Sequence, residues 1–224
     1  MEHSDYIMQI IWNGQSCFHI IKNNQAKIVI DPFDEQIGLR VPKLEADVLL
    51  ITHSHYDHNN KKAITSPLAG HPPFIIEGPG EYEAKGIFFQ GVHSWHDEKE
   101  GTERGENTIY TIKAEGLRLC HLGDFGQREL SEEQLEVIDE VDILMVPVGG
   151  KYTIDAKGAQ KVISQIEPKI VIPMHYQIPK LKIKLDGLDF FLKAMGAKSI
   201  EPQTKLIIKK KDLTEGMKIV VLKP

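Results

Sequence analysis

The chain has 224 residues, of which 41% are hydrophobic and 26% charged, the composition of an ordinary globular protein. This length fits one large domain with a sizeable core better than two, so we expect a single domain over residues 1–224. The 27 basic and 32 acidic side chains give a net charge of −5, which argues against general electrostatic attraction to nucleic acid or an anionic membrane.

Cysteine usage and the N-terminal segment bear on the compartment. Cys17 and Cys120 lie far apart and form neither a C-x-x-C motif nor a disulfide-rich framework, which favours a reducing compartment. The first residues lack the basic and apolar stretches of a signal peptide, and the longest apolar runs have only the length of strands. The sequence therefore predicts a cytoplasmic protein without a membrane span.

Short runs of β-branched and aromatic residues predict the strands. The first runs cover 6–12, 16–21 and 26–30, and Asn-Gly and Asn-Asn turn dipeptides separate them, which predicts an antiparallel meander. The run at 48–51 is continuously apolar, so we expect an interior strand that is buried on both faces. Similar runs predict further strands at 74–76, 86–92, 107–113, 117–122, 142–147, 169–173, 205–210 and 218–222.

Capping patterns predict helices between the later strands. The segment 131–134, Ser-Glu-Glu-Gln, is a capping box, and Asp155 is placed to cap a helix that runs to about 166. A third helix is predicted over 188–195, followed by Gly196 as its C-cap. Strands that come first, followed by alternating helix and strand, indicate one α/β domain.

The motif His53-x-His55-x-Asp57-His58 directly follows the buried strand at 48–51. It places four potential metal ligands within six residues, at a point where a rigid strand aims the side chains of a loop. Imidazole and carboxylate together suit zinc, manganese or iron, whereas calcium would call for oxygen ligands alone. His53 and His55 can converge on one ion, and the same loop can offer Asp57 and His58 to a second.

Other strand ends supply further candidate ligands. His93 and His96 follow the strand at 86–92, Asp124 lies between glycines after the strand at 117–122, and His175 follows the strand at 169–173. In a strand-like continuation His93 and His96 would point to opposite faces, so only one of them is expected at the site. Their spacing alone leaves both open.

Taken together, the H-x-H-x-D-H motif, the Gly-Asp-x-Gly segment at 123–126 and the strand-end histidine resemble the metallo-β-lactamase superfamily. The nearest resemblance is to its small single-domain metal-dependent hydrolases of the ascorbate-6-phosphate-lactonase-like branch, and it runs from about Ile10 to Gln177. It implies an α/β fold: a four-layer αββα sandwich of two mixed β-sheets flanked by helices, with the site at one edge between the sheets. Further matches to the branch are Asp31-Pro32-Phe33, Trp95-His96-Asp97, Arg104-Gly105-x-Asn107 and the segments 121–124 and 146–150.

The resemblance also implies a set of site residues and two divalent metal ions, zinc first, with manganese or iron as alternatives. The first-metal ligands implied are His53, His55 and His96, where the match around Trp95-His96-Asp97 favours His96 over His93. The second-metal ligands implied are Asp57, His58 and His175, with Asp124 as the bridging carboxylate and Asp57 and Asp124 as catalytic groups. Gln15 stands where many members carry histidine, in Gly-His-Ser, which weakens a positioning or substrate role for Gln15.

Several residues near these motifs allow more than one interpretation. Asp31 could fix the tautomer of a ligand histidine or merely form a turn, and His121 could orient the metal loop or simply be a core histidine. Arg104, Lys151 and Tyr152 lie on segments that resemble site-facing loops. Arg104 could clamp a phosphate or carboxylate there, although a solvated loop charge is the commoner fate of such a residue.

Two ions that share Asp124 and a water would lower the pKa of that water to around 7 and supply hydroxide at neutral pH. The predicted function is hydrolysis of a small-molecule substrate: an ester, lactone, amide or phosphodiester. Alternatives are a nuclease of the same fold, a flavodiiron-type oxidoreductase and a non-enzymatic metal-binding regulatory protein. The net charge and the lack of a basic stripe oppose the nuclease, and His55, where glutamate is typical, opposes the flavodiiron protein. We expect no nucleic-acid or membrane partner, and the runs after Pro202 could serve a homo-oligomer interface.

Overall fold

The computed structural model describes residues 6–23 and 25–224. The first five residues, which bear on the signal-peptide interpretation, and Asn24 of the expected Asn-Asn turn lie outside the described residues. The strands are β1 (Met8–Trp12), β2 (Phe18–Lys22), β3 (Ala26–Ile30), β4 (Leu44–Glu45), β5 (Val48–Ile51), β6 (Ile64–Thr65), β7 (Phe74–Glu77), β8 (Gly80–Ala84), β9 (Ile87–Trp95), β10 (Glu106–Ala114), β11 (Leu117–His121), β12 (Ile143–Pro147), β13 (Ile170–Met174), β14 (Leu206–Ile208) and β15 (Lys218–Ile219). The α-helices are α1 (Glu132–Ile138), α2 (Ala156–Ile166) and α3 (Leu188–Ala194), and short 3-10 turns lie at Glu35–Ile37, Lys61–Ala63 and Lys210–Asp212.

The first large sheet has the strand order β14-β1-β2-β3-β5-β7. Strands β1, β2 and β3 form the expected antiparallel meander, whereas β3, β5 and β7 run parallel. The register places Ile30 of β3 opposite Leu50 of β5, so the carboxyl ends of these two strands lie side by side. Asp31 and the H-x-H-x-D-H loop therefore leave the sheet at the same edge.

The second large sheet has the order β15-β13-β12-β11-β10-β9-β8. Strands β8, β9, β10 and β11 pair with one another in antiparallel fashion, whereas the pairs β11–β12, β12–β13 and β13–β15 are parallel. Because β9 and β11 both run opposite to β10, the carboxyl ends of β9, β11 and β13 meet at one edge. The described residues thus form the sandwich of mixed sheets that the family resemblance implies, and the connections that carry His96, Asp124 and His175 leave it together.

Two groups of buried apolar side chains hold the described layers together. The larger lies between the sheets, includes Trp12, Phe18 and Tyr110, and extends to the apolar faces of the α-helices. The smaller lies on the other face of β3 and β5, where the 3-10 turn Glu35–Ile37 and the loop at 177–185 cover it. No helix among the described residues is long and apolar enough to span a membrane.

The predicted elements are present with ends displaced by no more than three residues. Ser131 forms the predicted capping box with Gln134, and Asp155 caps α2. Strand β8 was not predicted, because it is an edge strand whose glutamates alternate with partly buried residues and give no apolar run. Cys17 and Cys120 are free and buried, as expected for unpaired thiols.

Candidate metal centre

The predicted ligands come together at the shared edge of the two sheets in two groups. In each group the ligand atoms lie within 4.8 Å of one another. The first group contains His53, His55 and His96; the second contains Asp57, His58, Asp124 and His175. The strand ends that the sequence singles out thus converge in space.

The imidazoles of the first group pack around one another. The ring centroid of His53 lies 4.7 Å from that of His55 and 4.8 Å from that of His96. The Nδ1 atom of His53 lies 2.9 Å from Oγ1 of Thr52, and its buried Nε2 has no hydrogen-bond partner among the described residues. Burial, together with neighbouring imidazoles, lowers the pKa of His53 and of His55. Both rings therefore favour the neutral form that binds metal ions.

Asp124 lies at the centre of the second group and also reaches the first. Its Oδ2 is 3.3 Å from Nε2 of His58, 3.3 Å from Nε2 of His175 and 3.2 Å from Nε2 of His96. The Oδ2 of Asp57 is 3.4 Å from the same atom of His58. Asp124 thus connects the two groups, in the position expected of a bridging carboxylate.

The charges of the second group oppose the effect of burial. Burial alone would lower the pKa of His58, but the carboxylates of Asp124 and Asp57 hold it well above its ordinary value. Burial alone would likewise raise the pKa of Asp124, but His175 and His58 keep it well below its usual range. The carboxylates therefore attract positive charge to this point, and a bound cation would supply it as protons do.

Asp31 fixes the orientation of His58. Of the two roles considered for Asp31, a partner of a ligand histidine or a simple turn residue, the structure supports the first. Its Oδ2 accepts a hydrogen bond of 2.9 Å from Nδ1 of His58. The backbone N–H and the hydroxyl of Thr52 donate to the Asp31 carboxylate at 2.8 and 2.7 Å. Since Nδ1 of His58 carries the proton, its Nε2 is left to face Asp57 and Asp124.

Asn107 holds the backbone of Asp124, a role that its sequence motif did not reveal. Its Oδ1 accepts from the N–H of Asp124 at 3.0 Å, and its Nδ2 donates to the carbonyl of Leu122 at 2.9 Å. Gly123 between them has φ of 56°, and a Cβ atom there would lie 2.3 Å from Oδ1 of Asn107. Glycine is therefore required at this position.

His121 joins the two loops that position Asp124, as the orienting interpretation expects. Its Nδ1 accepts from the N–H of Gly123 at 3.1 Å, and its Nε2 lies 3.0 Å from the carbonyl of Ser16. The Ser16 hydroxyl in turn donates to Oδ1 of Asp124 at 3.3 Å. Burial lowers the pKa of His121, so the ring is neutral and uses both nitrogens.

Gln15 contacts the second group, although its departure from the family pattern weakened that expectation. Its fully buried side chain donates from Nε2 to Oδ2 of Asp57 at 2.9 Å and lies 2.7 Å from Nε2 of His175. The reduced role expected for Gln15 is therefore wrong. Its position in the loop between β1 and β2, at the edge where the ligands meet, was the available signal.

The structure separates His96 from His93. His96 is 2% exposed and its ring lies against Asp124 and His53. His93 lies within β9 with its side chain 40% exposed and its Nε2 3.8 Å from Glu106. The geometry favours His96 as the ligand.

A cavity of about 620 Å³ opens onto the centre. Arg104 and Tyr152 line it, with the guanidinium carbon 5.9 Å from the tyrosine ring centroid, whereas Lys151 lines a neighbouring cavity of about 590 Å³. Gly149 packs closely against the backbone of His175, because a Cβ atom at position 149 would lie 2.1 Å from the carbonyl oxygen of His175. The full lining of the larger cavity is Gln36, His55, Tyr56, Asp57, His96, Arg104, Asp124, Tyr152, His175, Lys182, Ile183 and Lys184.

Known proteins are similar to this chain in sequence and in architecture. A solved structure from Thermotoga maritima, a candidate zinc-dependent hydrolase of the metallo-β-lactamase superfamily, is 34% identical with a TM-score of 0.76 and covers 96% of this chain and 98% of its own. A UPF0173 metal-dependent hydrolase of Thermoplasma volcanium is 28% identical over 221 residues, which are 88% of this chain and 97% of that protein. Igni18, a metallo hydrolase from Ignicoccus hospitalis, has the same fold at 20% identity, with a TM-score of 0.65 over 91% of this chain and 99% of its own.

The family assignment follows from the match along most of the chain. The model of the beta-lactamase superfamily domain matches residues 9–175, which include every predicted ligand. The protein therefore belongs to the metallo-β-lactamase superfamily.

Proposed function

We propose that this protein is a hydrolase that uses two divalent metal ions, preferably zinc, to cleave an ester, lactone, amide or phosphodiester of a small molecule. The observation that carries the proposal is the connection of two ligand groups through Oδ2 of Asp124. The names of the similar proteins, which are metal-dependent or zinc-dependent hydrolases, support the reaction class.

The side chains fit such ions by chemistry as well as by position. The buried Nε2 atom of His53 has no hydrogen-bond partner among the described residues, and an unpartnered buried polar atom is costly. A cation at the first group would supply this missing partner, and a cation at the second would lie beside the carboxylates of Asp57 and Asp124. His53, His55 and His96 would hold the first ion and Asp57, His58 and His175 the second, with Asp124 shared between them.

When bound, two such ions lower the pKa of a water between them and polarise the oxygen of the scissile group. Asp124 supplies the negative charge that keeps the ions together, and Asp31 and Asn107 hold its surroundings in place. Asp57 lines the cavity and is ionised, because the imidazole of His58 outweighs the effect of burial on its pKa. Its carboxylate would therefore help to hold the second ion at the point where substrate and water enter the centre.

The hydrolysis adds one water across the cleaved bond. The oxygen of that water joins the acyl carbon or the phosphorus, and a proton leaves with the alcohol or amine. A cavity of about 620 Å³ matches a small molecule, since pockets for such ligands hold roughly 300–1,000 Å³. A nuclease and a non-enzymatic regulatory protein stay alternatives for the same site.

Metal analysis and a substrate panel test this proposal together. Elemental analysis and anomalous scattering on the purified protein should find two ions per chain at the named residues. Lactones, esters, amides, phosphodiesters and a short RNA would then be offered before and after chelation. Turnover of a small substrate that chelation removes and zinc restores is the expected result. RNA cleavage alone, or two bound ions with no turnover, would favour an alternative.

A further inference from the structure

The face of the first large sheet that turns away from the second sheet carries another cavity, of about 810 Å³. It is lined by His19 of β2, by Lys27 of β3 and by residues of the segments 41–45 and 62–65. None of these residues lines the cavity over the metal centre. We call it the outer cavity, and it is separate from the candidate metal centre.

The floor of the outer cavity is the sheet itself. His19 lies between Phe18 and Ile20, which are buried between the two sheets, so its side chain points to the opposite face. The register places His19 opposite Val29, which belongs to the smaller apolar group on that face. Lys27 lies two residues before Val29 and therefore shares the face.

The walls of the outer cavity are held in place by the short strands β4 and β6. These strands pair in parallel, with Leu44 opposite Ile64. The N–H of Ala46 donates to the carbonyl of Thr65 at 2.8 Å, and Ala46 and Ile64 are buried in the smaller apolar group. The outer cavity is thus bounded by regular structure that is anchored to the core.

The charges that line the outer cavity are mostly positive. Its carboxylate, that of Glu45, lies 2.6 Å from Nζ of Lys27 and is neutralised by it. Lys43 and Lys62 are exposed on the two walls, and within the described part of the chain their ammonium groups form no ion pair. Since the whole chain carries a net charge of −5, this excess of positive charge is local.

The imidazole at the floor has an unsatisfied atom. The buried Nε2 of His19 has no hydrogen-bond partner in the part of the chain that the structure describes. Burial and the nearby charge of Lys27 lower the pKa of His19, so the ring is neutral at pH 7. A neutral imidazole still has one N–H to donate, and a buried polar atom without a partner is costly. A molecule seated in the outer cavity could supply the missing partner.

From these features we infer that the outer cavity is a second binding site, which takes a small organic anion with one carboxylate or phosphate group and a short apolar body. Lys43 and Lys62 would attract the anionic group from the two walls, and His19 would donate to one of its oxygens. The partly buried side chains of Val41 and Leu44 would contact the apolar body. The volume suits such a molecule, since pockets for small ligands hold roughly 300–1,000 Å³.

Calorimetric titration of the metal-loaded protein tests the site with hexanoate, hexyl phosphate and hexanol. We expect one or both anions to bind and hexanol to bind at least about tenfold more weakly, because it lacks the charge. The double substitution Lys43→Ala and Lys62→Ala should weaken binding of the anion about 10- to 100-fold. Both lysines are exposed, so the melting temperature should not change. The anion that binds more tightly identifies the preferred group.

A matched control separates the outer cavity from the metal centre. The double substitution Lys182→Ala and Lys184→Ala removes two lysines from the cavity over the centre and should leave binding of the anion unchanged. A loss of binding in this variant, with full binding in the variant of Lys43 and Lys62, would place the anion at the metal centre and overturn the inference. Failure of both anions to bind would overturn it as well.

Nuclear magnetic resonance places the anion at the floor. In protein labelled with ¹⁵N-histidine, the ring signals of His19 are assigned by their absence in His19→Gln. The preferred anion should shift the Nε2 signal of His19, whereas hexanol at the same concentration should not. An unchanged His19 signal at saturating anion would exclude His19 from the site. Neither measurement requires turnover, so failure of the hydrolase proposal would leave this inference standing.

Discussion

Gln15 and His175 touch through their side chains, with Nε2 of Gln15 2.7 Å from Nε2 of His175. Their backbones are joined as well, since the N–H of His175 donates to the carbonyl of Gln15 at 3.0 Å. When Nδ1 of His175 carries the ring proton, the amide N–H of Gln15 donates to the Nε2 lone pair that a metal ion would take. Binding of an ion at the second group should release that contact and leave the hydrogen bond from Gln15 to Asp57 in place.

Gln15→Leu should weaken the binding of the second ion. The substitution keeps the bulk but removes the amide that orients Asp57 and His175, and loss of such an orienting partner costs about 10- to 100-fold in metal affinity. The first group, which Gln15 does not contact, should keep its affinity. Competition with a chromophoric chelator measures both steps. Gln25→Leu, an exposed glutamine near the β2–β3 turn, is the control; equal second-site affinity in all three proteins would contradict the role of Gln15.

His55→Ala should abolish hydrolysis without unfolding the protein. The side chain of His55 is exposed and contributes nothing to either apolar group, so the melting temperature of the metal-free protein should stay the same. The rate should fall below about 1% of the wild type, because even outer partners of ligands cost 10- to 100-fold. Ser54→Ala tests the same loop without touching a ligand. Full activity of the purified His55 variant would exclude it from the centre.

His96→Ala and His93→Ala should differ sharply. The His96 ring lies against Asp124, so its loss should cut first-site affinity and activity by more than the 10- to 100-fold expected for an outer partner. The half-exposed ring of His93 packs on Trp95, so its removal should affect stability slightly and metal content not at all. Metal content and rate are measured on both variants. The reverse ranking would assign the ligand to His93.

The positions of the candidate ligands could be predicted from the sequence because each one follows a strand whose apolar run is unmistakable. Four metal-binding side chains follow β5, and one follows each of β9, β11 and β13. To predict that these side chains lie together, one needs only the rule that the carboxyl ends of these strands meet. The choice between His93 and His96 could not be made in this way. It depends on where β9 ends, and β9 continues to Trp95, three residues past the predicted end.

The partners of the ligands lay beyond sequence analysis for a different reason. Gln15 meets His175 across 160 positions of the chain, and Asn107 meets Asp124 across 17. Such contacts depend on strand register and on loop backbones with positive φ, as at Gln15, Asp31 and Gly123. None of these features leaves a periodic pattern in the sequence. The same is true of the loop at 177–185, whose shape depends on the side-chain hydrogen bonds of Gln177.

His121 should make the stability of the metal-free protein depend on pH. Burial lowers its pKa in the folded state, while in the unfolded chain it titrates near 6.5. As the pH falls below about 6.5, His121 binds a proton in the unfolded chain but not in the folded protein. The free energy of unfolding therefore decreases towards acid pH, by at most about 1.4 kcal/mol per pH unit.

Comparison with His121→Gln isolates this contribution. Glutamine can still accept from Gly123 and donate to Ser16, but it does not titrate. Urea unfolding of the chelated proteins between pH 7.5 and 5.5 should show a steeper loss of stability for the wild type, whatever the offset at neutral pH. Parallel curves would mean that His121 is protonated equally in both states.

Asp124→Asn is the sharpest test of a centre with two ions. The amide keeps the shape of the carboxylate, and the backbone stays held by Asn107, so we expect a folded protein. The negative charge at Oδ2, which lies 3.2–3.3 Å from Nε2 of His58, His96 and His175, is lost. Without it the two ions repel each other unshielded across a shared site.

The loss of charge should appear in the second group first. His53, His55 and His96 still offer three imidazoles to one ion, whereas the second group keeps only one carboxylate, that of Asp57. Metal content should therefore fall towards one ion per chain, with the rate reduced by orders of magnitude and its pH optimum displaced. Asp189→Asn, an exposed position in α3, controls for the chemical change alone. Were Asp124 only a turn residue between Gly123 and Gly126, its asparagine variant would lose a little stability and keep both ions, and the bridge would have to be abandoned.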